Sequence, residues 1–394
     1  MESLKEKVKL LAKDFLSEVI AIRRHLHMHP EMSFKEFETA AYVKQQLQAM
    51  DIPFDEGVAG TGIVGYIRGE NPRSKTIALR ADLDALPIQE SNDVVYKSKN
   101  DGVMHACGHD VHTASLLGAA KILTRLRADI KGTIKLVFQP GEEQLPGGAS
   151  MMIADGLLEN PNVDSMFGQH VYPDMEAGKV GFRKGMYMAS CDEIYLTIKG
   201  KGGHAALPHK LIDPIVIGAH LIVSLQQLVS RFIQSDIPAV LSFGDVQAIG
   251  ATNIIPDEMK LKGTLRMLNE DWREKAHVQI EKMCKGITSS MGASCDLEIR
   301  RGYPYLENDI ATTEKAMAKA KDYLGAGNVI DLDLRMTAED FAYYSQLVPA
   351  CFYRLGVKRA EETKIRSLHT SRFDIDESAL EIGMGLMAWI ALTD

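Results

Sequence analysis

The stretch that organises this chain is MHACGHDVHTA at residues 104–114, which gathers a thiol, imidazoles and a carboxylate in one short segment. It lies between two apolar segments: 76–84 predicts a buried strand that ends in acids, and 115–126 predicts a helix. The polar cluster is therefore expected at the carboxyl end of a strand, where open α/β sheets bind ligands. Cys107 and His109 are separated by a glycine, which allows the turn that would direct both side chains to one point. A thiolate beside an imidazole is a common transition-metal pair, although a buried structural pair is the alternative.

Composition narrows the class of protein. The chain has 394 residues, 45% hydrophobic and 25% charged, which is ordinary for a soluble protein of two or three domains. A net charge of -8 argues against a nucleic-acid partner. Five widely spaced cysteines do not form a disulfide framework and indicate a reducing compartment. Residues 1–16 lack the features of a signal peptide, and no run of 18 or more apolar residues predicts a membrane span, so a cytoplasmic protein without a membrane partner is expected.

Two later strands also end in polar side chains. Residues 132–138 predict a strand that is followed by a Pro-Gly turn and then by Glu142 and Glu143. Residues 163–171 predict another strand, with His170 near its end. A solvated pair of glutamates is the ordinary alternative for the Glu-Glu step. Three successive α/β units nevertheless place metal-binding or acid/base side chains at corresponding sheet edges.

The pattern changes between residues 188 and 304. Alternating strand patterns and two helical patterns follow in the order β-α-β-β-α-β, which is typical of a ferredoxin-like domain. The α/β character then returns, with a short helix expected to begin at Thr337. The fold expected is a mixed-sheet α/β/α catalytic domain, 1–187 with 305–394, into which the domain 188–304 is inserted.

The candidate metal ligands exceed what a single tetrahedral zinc requires. They suit two adjacent metal ions with one shared ligand, and they are Cys107, His109, Glu143, His170 and His369. In two-metal hydrolases the ions polarise a carbonyl group and lower the pKa of a bound water. Glu142 is then available as the general base on that water, and His204 as a donor to the developing oxyanion.

With these residues in view, the sequence resembles the metal-dependent amidohydrolases and peptidases that include aminoacylases and carboxypeptidase G. Within that group it resembles the hippurate hydrolase and indole-acetyl-amino-acid hydrolase branch. The resemblance extends from about residue 20 to the C-terminus. Its segments are RRHLHMHPEMSFKEFET, LRADLDALPI, MHACGHDVHTASLLGAA, FQPGEE, GQHVYP, KGGHAALPH, TNIIPD, AEDFAYY and LHTSRFDIDE.

The resemblance implies roles for individual residues of the metal site. Cys107 corresponds to the bridging ligand, where the wider family uses an Asp. His109 and His170 would complete one metal site, and Glu143 and His369 the other. The metal-binding His of the wider family's His-x-Asp motif is absent at Ala81-Asp82, which suggests that His109 replaces it. The cofactor expected is two divalent ions of zinc, manganese, nickel or cobalt, since thiolate and imidazole tolerate each of them.

The resemblance also implies roles in substrate binding. Glu142 matches the general base, whereas His204 and Asn253 match residues that bind the substrate carbonyl or stabilise the tetrahedral intermediate. Arg266 is a candidate to bind the carboxylate of the product amino acid through a bidentate pair, with an ordinary surface arginine as the alternative. The inserted domain would act as a lid and as the interface of a homodimer.

The activity expected is hydrolysis of an N-acyl amino acid to a carboxylate and a free amino acid, with Glu142 as the base. A dipeptidase or other exopeptidase with the same site residues is the alternative. A non-catalytic ligand-binding relative would lack Glu142 or a metal ligand, and both are present. A hydrolase with Cys107 as its nucleophile would need no metal and would keep its activity in a strong chelator.

Overall fold

The structure, a computed structural model, describes residues 3–393 as alternating strands and helices. The strands are β1 (Phe54–Val58), β2 (Gly62–Arg68), β3 (Thr76–Asp82), β4 (Thr133–Gln139), β5 (Ser165–Glu176), β6 (Val180–Phe182), β7 (Gly185–Met188), β8 (Asp192–Lys199), β9 (Gly203–His204), β10 (Ala239–Gln247), β11 (Ile254–Ile255), β12 (Glu258–Met267), β13 (Ser294–Arg301), β14 (Leu306–Asn308), β15 (Val329–Asp331) and β16 (Ala350–Lys358). The helices are α1 (Leu4–Met28), α2 (Phe37–Ala49), α3 (His109–Arg125), α4 (Gly148–Ala154), α5 (Pro214–Gln227), α6 (Glu270–Ser290), α7 (Ile310–Leu324), α8 (Ala342–Ser345) and α9 (Ala379–Thr393).

These elements divide into two compact units. The first comprises the chain up to Gly185 together with Glu307–Asp333 and the residues from Asp340 onwards. The second comprises Met186–Leu306 together with Leu334–Glu339. The sequence predicts two domains, 1–187 with 305–394 and 188–304. That these segments are independent domains stays a prediction.

The first unit is built on a mixed sheet. Its order within the described residues is β1-β2-β4-β3-β5-β16-β6-β15, eight strands in all. The neighbours β4, β3, β5 and β16 run parallel to one another, whereas β2 and β6 pair antiparallel with this central block. Every residue of β3 and β4 is buried, which explains their near-continuous apolar sequences. The predicted α/β class with a large mixed sheet and packed helices is confirmed.

Helices α1, α3 and α9 form the apolar layer behind the site. They pack against one another, and α3 and α9 also contact strands of the sheet. Helix α3 lies between the sheet and the other two helices, and its residues from His109 to Ala120 are all buried, with an apolar run that follows the polar first turns. This packing fixes the beginning of α3, where the metal-ligand candidates lie.

The second unit has the connectivity β8-α5-β10-β12-α6-β13. Its strands form an antiparallel sheet in the order β10-β12-β8-β13, and α5 and α6 pack against strands of that sheet. This is the ferredoxin-like order that the alternating sequence pattern predicts. Its core contains Ile194, Leu221, Leu261 and Ile280.

Some elements differ from the sequence-based expectations. The sequence does not predict the short strands β1, β6, β7, β14 and β15, because three to five residues carry too little periodicity to be recognised. The helix expected to begin at Thr337 begins instead at Ala342. The reason is visible at Asp340, whose carboxylate accepts hydrogen bonds from Arg80 and from the backbone N–H of Ala149 rather than capping a helix of its own.

One helical stretch among residues 3–393, Pro214–Phe232, is long and apolar enough to span a membrane by length and composition. It consists of α5 and the π-helical turn that follows it. One face packs into the core of the second unit through Ile217, Leu221 and Leu225. Packing in the core of the second unit therefore accounts for part of its apolar character, with 28% of the apolar window buried.

A buried cluster of ion pairs connects α6 to β8. The carboxylate of Asp192 accepts hydrogen bonds from Arg273 Nε at 2.9 Å and from His277 Nε2 at 2.7 Å. Burial tends to raise the pKa of Asp192, but its bonds to Arg273 and His277 outweigh burial and lower that pKa below its ordinary value. The ionised carboxylate therefore stabilises the folded state of the second unit.

We expect Asp192→Asn to destabilise the protein at neutral pH by about 3–5 kcal/mol, the usual cost of breaking a buried ion pair. Because the folded-state pKa is lowered, the contribution of Asp192 is complete above pH 3.8 and is lost as the pH falls through the lowered value. Thermal melts from neutral pH down to about pH 3 should show the two Tm values converging below about pH 4. Two curves that stay parallel over this range would contradict the assignment.

Candidate metal centre

The sheet register brings three chain segments together at one edge. Strand β3 lies between β4 and β5, with Asp82 opposite Gln139 of β4 and Arg80 opposite Gly168 of β5. The two glutamates that follow β4, and His170 near the middle of β5, therefore lie beside the end of β3. This is the arrangement expected from the three successive α/β units.

Gly108 allows the chain to turn sharply between Cys107 and His109. Its φ is +86°, in the left-handed region, and a Cβ added there would lie 2.5 Å from Cγ2 of Val171. Only glycine fits this position. Helix α3 begins immediately afterwards at His109, so Cys107 lies just before the first helical turn. The predicted turn at this glycine is present.

The five predicted ligands form two groups that share Cys107. One group contains Cys107, His109 and His170, and the other contains Cys107, Glu143 and His369; within each group the donor atoms lie within 4.8 Å of one another. The Cys107 thiol is 3.5 Å from Nε2 of His170 and 3.3 Å from Nε2 of His369. The structure thus assembles every predicted ligand from four separate parts of the chain.

His369 reaches this cluster from a loop in a strained conformation. Its φ is +58°, which is uncommon for a residue with a side chain. Its backbone N–H donates to the carbonyl of Ala106 at 2.8 Å, next to Cys107. Its Nε2 lies 3.2 Å from Oε1 of Glu143. Non-glycine residues in such conformations cluster at functional sites, where surrounding contacts hold them.

Two of the imidazoles are oriented by hydrogen bonds on the side away from the cluster. Nδ1 of His109 donates to the backbone carbonyl of Asp84 at 2.8 Å, and Nδ1 of His170 donates to the carbonyl of Val171 at 2.8 Å. Each of these bonds leaves Nε2 of the ring directed into the cluster, where a metal ion would displace any proton that this nitrogen carries. This is the ring orientation that a metal-binding histidine requires.

The electrostatics of the cluster favour a cation. Burial and the carboxylates of Glu143 and Glu142 raise the pKa of the Cys107 thiol well above its ordinary value. Burial lowers the pKa of His109, but the carboxylates of Asp82 and Asp84 outweigh burial and raise it to about 10. Nε2 of His109 is buried and has no hydrogen-bond partner among residues 3–393. A divalent cation would satisfy this nitrogen and would favour the thiolate, so the donor set fits a metal centre.

The raised pKa of Cys107 also bears on the alternative of a nucleophilic cysteine. Such cysteines have lowered pKa values, from a neighbouring cation, a charged imidazole or a helix N-terminus. Cys107 is buried beside carboxylates, which shift its pKa in the opposite direction. This environment suits a bound cation and does not activate the thiol as a nucleophile.

Glu142 lies beside the cluster without belonging to either group that shares Cys107. Its Oε2 is 3.9 Å from Nε2 of His109, and the residue is 7% exposed. Its backbone N–H donates to Oδ1 of Asp84 at 3.1 Å, and that of Glu143 donates to Oδ2 at 3.0 Å. A single buried carboxylate thus fixes the backbone of both glutamates.

A buried network of charged and polar side chains lies beside the cluster, around Asp82 and Asp340. Arg80 Nη1 donates to Asp82 at 2.6 Å, and Arg80 Nη2 donates to Asp340 at 2.7 Å. Nδ1 of His112 donates to Asp82 at 2.6 Å, and Gln139 Nε2 donates to Asp340 at 2.8 Å. This network was not predicted from the sequence. The sequence feature that could have indicated it is the alternation of charged residues along an otherwise apolar strand.

The remaining predicted site residues lie in the second unit. His204 lies in a two-stranded ribbon, where it pairs with Ile254, and Asn253 directly precedes the second strand; the N–H of Ala205 donates to the Asn253 carbonyl at 3.0 Å. Arg266 is half-buried on β12, and its Nε donates to Thr264 Oγ1 at 3.1 Å. The structure thus brings His204 and Asn253 together, with Arg266 on a separate sheet.

The mixed α/β sheet presents buried thiol, imidazole and carboxylate donors, with a further carboxylate beside them. This combination defines a class of metal-dependent hydrolases. Residues 78–393 match the model of "Peptidase family M20/M25/M40". The chain belongs to this family. The predicted family and the predicted class of enzyme, a metal-dependent amidohydrolase, are confirmed.

Individual relatives agree with this assignment. The chain is 44% identical over 299 residues to the N-acyl-L-amino acid amidohydrolase of Geobacillus stearothermophilus, covering 76% of this chain and 80% of that protein. It is 38% identical to thermostable carboxypeptidase 2 of Saccharolobus solfataricus, covering 99% of this chain and 98% of that one. The Bacillus subtilis YXEP protein, described as a dinuclear metal binding peptidase, superposes with a TM-score of 0.83 at 35% identity, covering 96% of this chain and 98% of that one.

We expect Asp82→Asn to destabilise the metal-free protein by about 3–5 kcal/mol, because it removes one charge of a fully buried network. Burial raises the pKa of Asp82, but His109, His112 and Arg80 hold it well below its ordinary value. Urea unfolding measures the loss. Asp55→Asn is the matched control, because that carboxylate is exposed, accepts the Tyr66 hydroxyl at 2.6 Å, and should cost within about 0.5 kcal/mol. Equal losses in the two variants would refute the role of the buried network.

Proposed function

We propose that this protein hydrolyses the amide bond of N-acyl amino acids, releasing a carboxylate and a free amino acid, with two divalent metal ions. The observation that carries the proposal is the pair of donor groups that share Cys107, with Glu142 beside them. In this proposal His109 and His170 would hold one ion, Glu143 and His369 would hold the other, and Cys107 would be the ligand that both share. The ions are zinc, manganese, nickel or cobalt.

The ions would polarise the amide carbonyl and make the attacking water more acidic. Glu142 accepts a proton from that water and later donates it to the amine that leaves. A buried carboxylate with a fixed backbone is suited to this work because its position does not change between the two transfers. Such general acid–base help typically contributes about two to four orders of magnitude in rate.

Residues of the second unit are proposed to bind the substrate. The backbone N–H of Ala206 donates to Nδ1 of His204 at 3.1 Å, so a neutral His204 carries its proton on Nε2. That N–H is a donor for the oxygen of the tetrahedral intermediate. Asn253 adds an amide on the same ribbon, and Arg266 would pair with the carboxylate of the amino acid. We propose that this unit acts as a lid over the substrate.

The amidohydrolase relative from Geobacillus stearothermophilus supports an N-acyl amino acid as the substrate class. The carboxypeptidase relative supports the alternative, a peptide with a free carboxyl end. Both substrates present the same amide bond and carboxylate, and they differ only in what lies on the acyl side. The five free cysteines support a reducing compartment, and we propose the cytoplasm.

We expect the purified protein, loaded with manganese or zinc, to release free amino acid from N-acetyl, N-benzoyl or indole-acetyl amino acids more rapidly than from dipeptides. A chelator should abolish the release. Glu142→Gln should lower kcat by about two to four orders of magnitude, because Gln keeps the shape of the side chain but accepts no proton. Both metals should stay bound, as measured by elemental analysis.

The outcomes separate the candidate functions. Preferential release from dipeptides would establish the exopeptidase. No release from any substrate, with two metals bound, would favour the non-catalytic binder. Full activity in a chelator would favour the cysteine nucleophile, and normal activity of the Gln variant would refute the role of Glu142.

We also propose a homodimer formed through the second unit. Helix α5 exposes Val216 at 48% and Val223 at 71%, seven residues apart on one face. Strand β10 packs beside α5, and among the described residues it is an edge strand of its sheet, with Val246 exposed at 53%. An unpaired strand edge next to an apolar helix face is suited to a second copy of the chain.

We expect the protein to have twice the 43.5 kDa mass of the chain by light scattering. Val223→Lys should shift it towards the monomer, because it places a charge in the apolar face. Val278→Lys on α6 is the matched control: that valine is exposed at 51% but lies on the other helix, so this variant should stay dimeric. A monomeric wild type, or equal dissociation of both variants, would contradict the proposed interface.

A further inference from the structure

Three successive backbone N–H groups donate to buried carboxylates where the chain leaves β4. Glu142 and Glu143 donate to Asp84, and Gly141 donates to Oε1 of Glu36 at 2.8 Å. Asp84 also accepts from Nδ1 of His109, so it belongs to the metal-centre support already described. Glu36 touches none of the proposed metal ligands in the bonds that the structure gives it, and its role in this turn is a separate matter.

Glu36 is placed by the connector between α1 and α2, residues 29–36. The residue is fully buried. Its Oε1 accepts a second bond from the backbone N–H of Phe34 at 2.8 Å, and its Oε2 accepts from the hydroxyl of Thr61 at 2.6 Å. The carboxylate thus joins this connector, the β1–β2 hairpin and the turn before Glu142. In each of these bonds Glu36 supplies the acceptor oxygen. Only the bond with Thr61 could form in the opposite direction, because a hydroxyl can also accept.

Glu36 is the carboxylate that holds the N–H of Gly141, whereas the carbonyl of Gly141 accepts the N–H of Gly148 at 3.1 Å and Asp84 holds the two N–H groups that follow. Gly141 has a φ of +58°, and it has no side chain of its own to pack. A Cβ added there would lie 2.3 Å from Cε1 of Phe34, so the ring of the connector lies directly against the turn. The orientation of the peptide at Gly141 determines where the next residue, Glu142, directs its side chain.

We propose that Glu36 is a positioning residue for Glu142: by accepting the Gly141 N–H, it fixes the turn that aims the general base at the attacking water. The inference rests on the proposed function, because it assigns Glu36 a part in the same reaction. Glu36 is not a catalytic residue, since it acts only through the backbone of the turn. What matters is an acceptor oxygen at the correct reach, and the charge of the side chain is secondary.

Two substitutions separate reach from charge. Glu36→Gln keeps the length and an Oε1 acceptor for Phe34 and Gly141, and its amide can donate to Thr61. Glu36→Asp keeps the charge but withdraws the carboxylate by one methylene, away from the Gly141 N–H. A role in reach predicts that Gln is tolerated better than Asp. A role in charge balance predicts the reverse order.

The experiment measures kcat, KM and metal content for Glu36→Gln, Glu36→Asp and Glu36→Ala in the full chain. We expect Asp and Ala to lower kcat by about 10- to 100-fold, because displacements near 1 Å cost about this much in rate. KM should stay within about threefold and both metals should stay bound, because Glu36 binds neither substrate nor metal. Gln should restore kcat to within about threefold of wild type.

The matched control is Glu31→Ala. Glu31 lies in the same connector, and its carboxylate accepts the N–H and hydroxyl of Thr39 in α2, each at 2.8 Å, rather than any group of the catalytic turn. This variant should lower the Tm but leave kcat unchanged. Amide hydrogen exchange over residues 140–144 gives a readout that is independent of activity: exchange should accelerate in the Asp and Ala variants, and less in Gln and in the Glu31 control.

The results distinguish this inference from the proposed function. If the metal-loaded wild type hydrolyses none of the substrates, the proposed function fails. If the wild type is active but Glu36→Asp matches it in kcat or in exchange, the positioning role is refuted. Gln as impaired as Ala, or a fall in kcat that follows loss of metal, would also overturn it. Should Glu36→Ala fail to fold, the comparison of Gln with Asp decides the matter alone.

Discussion

The burial of negative charge at the ends of β3 and β4 is the constraint on which the rest of the structure depends. Asp82 and Asp84 are fully buried, and Glu142 is nearly so. An isolated carboxylate in such a place would cost several kcal/mol. The fold meets this cost at Asp82 and Asp84 by directing backbone N–H groups, imidazole N–H groups and one guanidinium at their carboxylates. The parallel register of β3 and β4 and the tight turns that follow them are what make those donors available.

The same constraint explains why the polar edge lies against an unusually apolar layer. Helix α3 carries His109 in its first turn, directly after Cys107 and Gly108, and is buried along most of its length. Its packing between α1 and α9 leaves little freedom for the residues at its beginning. A rigid apolar element thus holds Cys107 and His109, whereas hydrogen-bonded turns hold Glu142 and Glu143. Preorganisation of this kind keeps donor atoms in place at little further cost when a ligand binds.

The sequence predicts what is local and strongly periodic. The central strands, the long helices and the β-α-β-β-α-β order could be predicted because each extends over enough residues to show its period. Four of the five ligand candidates could be predicted because thiol, imidazole and carboxylate groups lie at or after predicted strand ends, whereas His369 lies outside this pattern. The support network could not, since Arg80 and Asp340 are 260 residues apart and nothing local in either segment indicates the other. The late start of α8 has the same origin. The carboxylate of Asp340, which would have capped a helix, instead accepts a hydrogen bond from a residue distant in the sequence.

Cys107 gives the proposed two-metal centre a property that an aspartate would not. A thiol whose pKa is raised by burial and by Glu143 and Glu142 is neutral until a cation arrives, whereas an aspartate would add another buried charge to this edge. The protein folded without metal therefore carries less uncompensated charge. Binding of the ions then releases the proton of the thiol, so that metal affinity depends on pH more steeply than carboxylate ligation alone would require. The choice of a thiol is thus consistent with the constraint that governs the rest of the site, which is how much negative charge the core can hold.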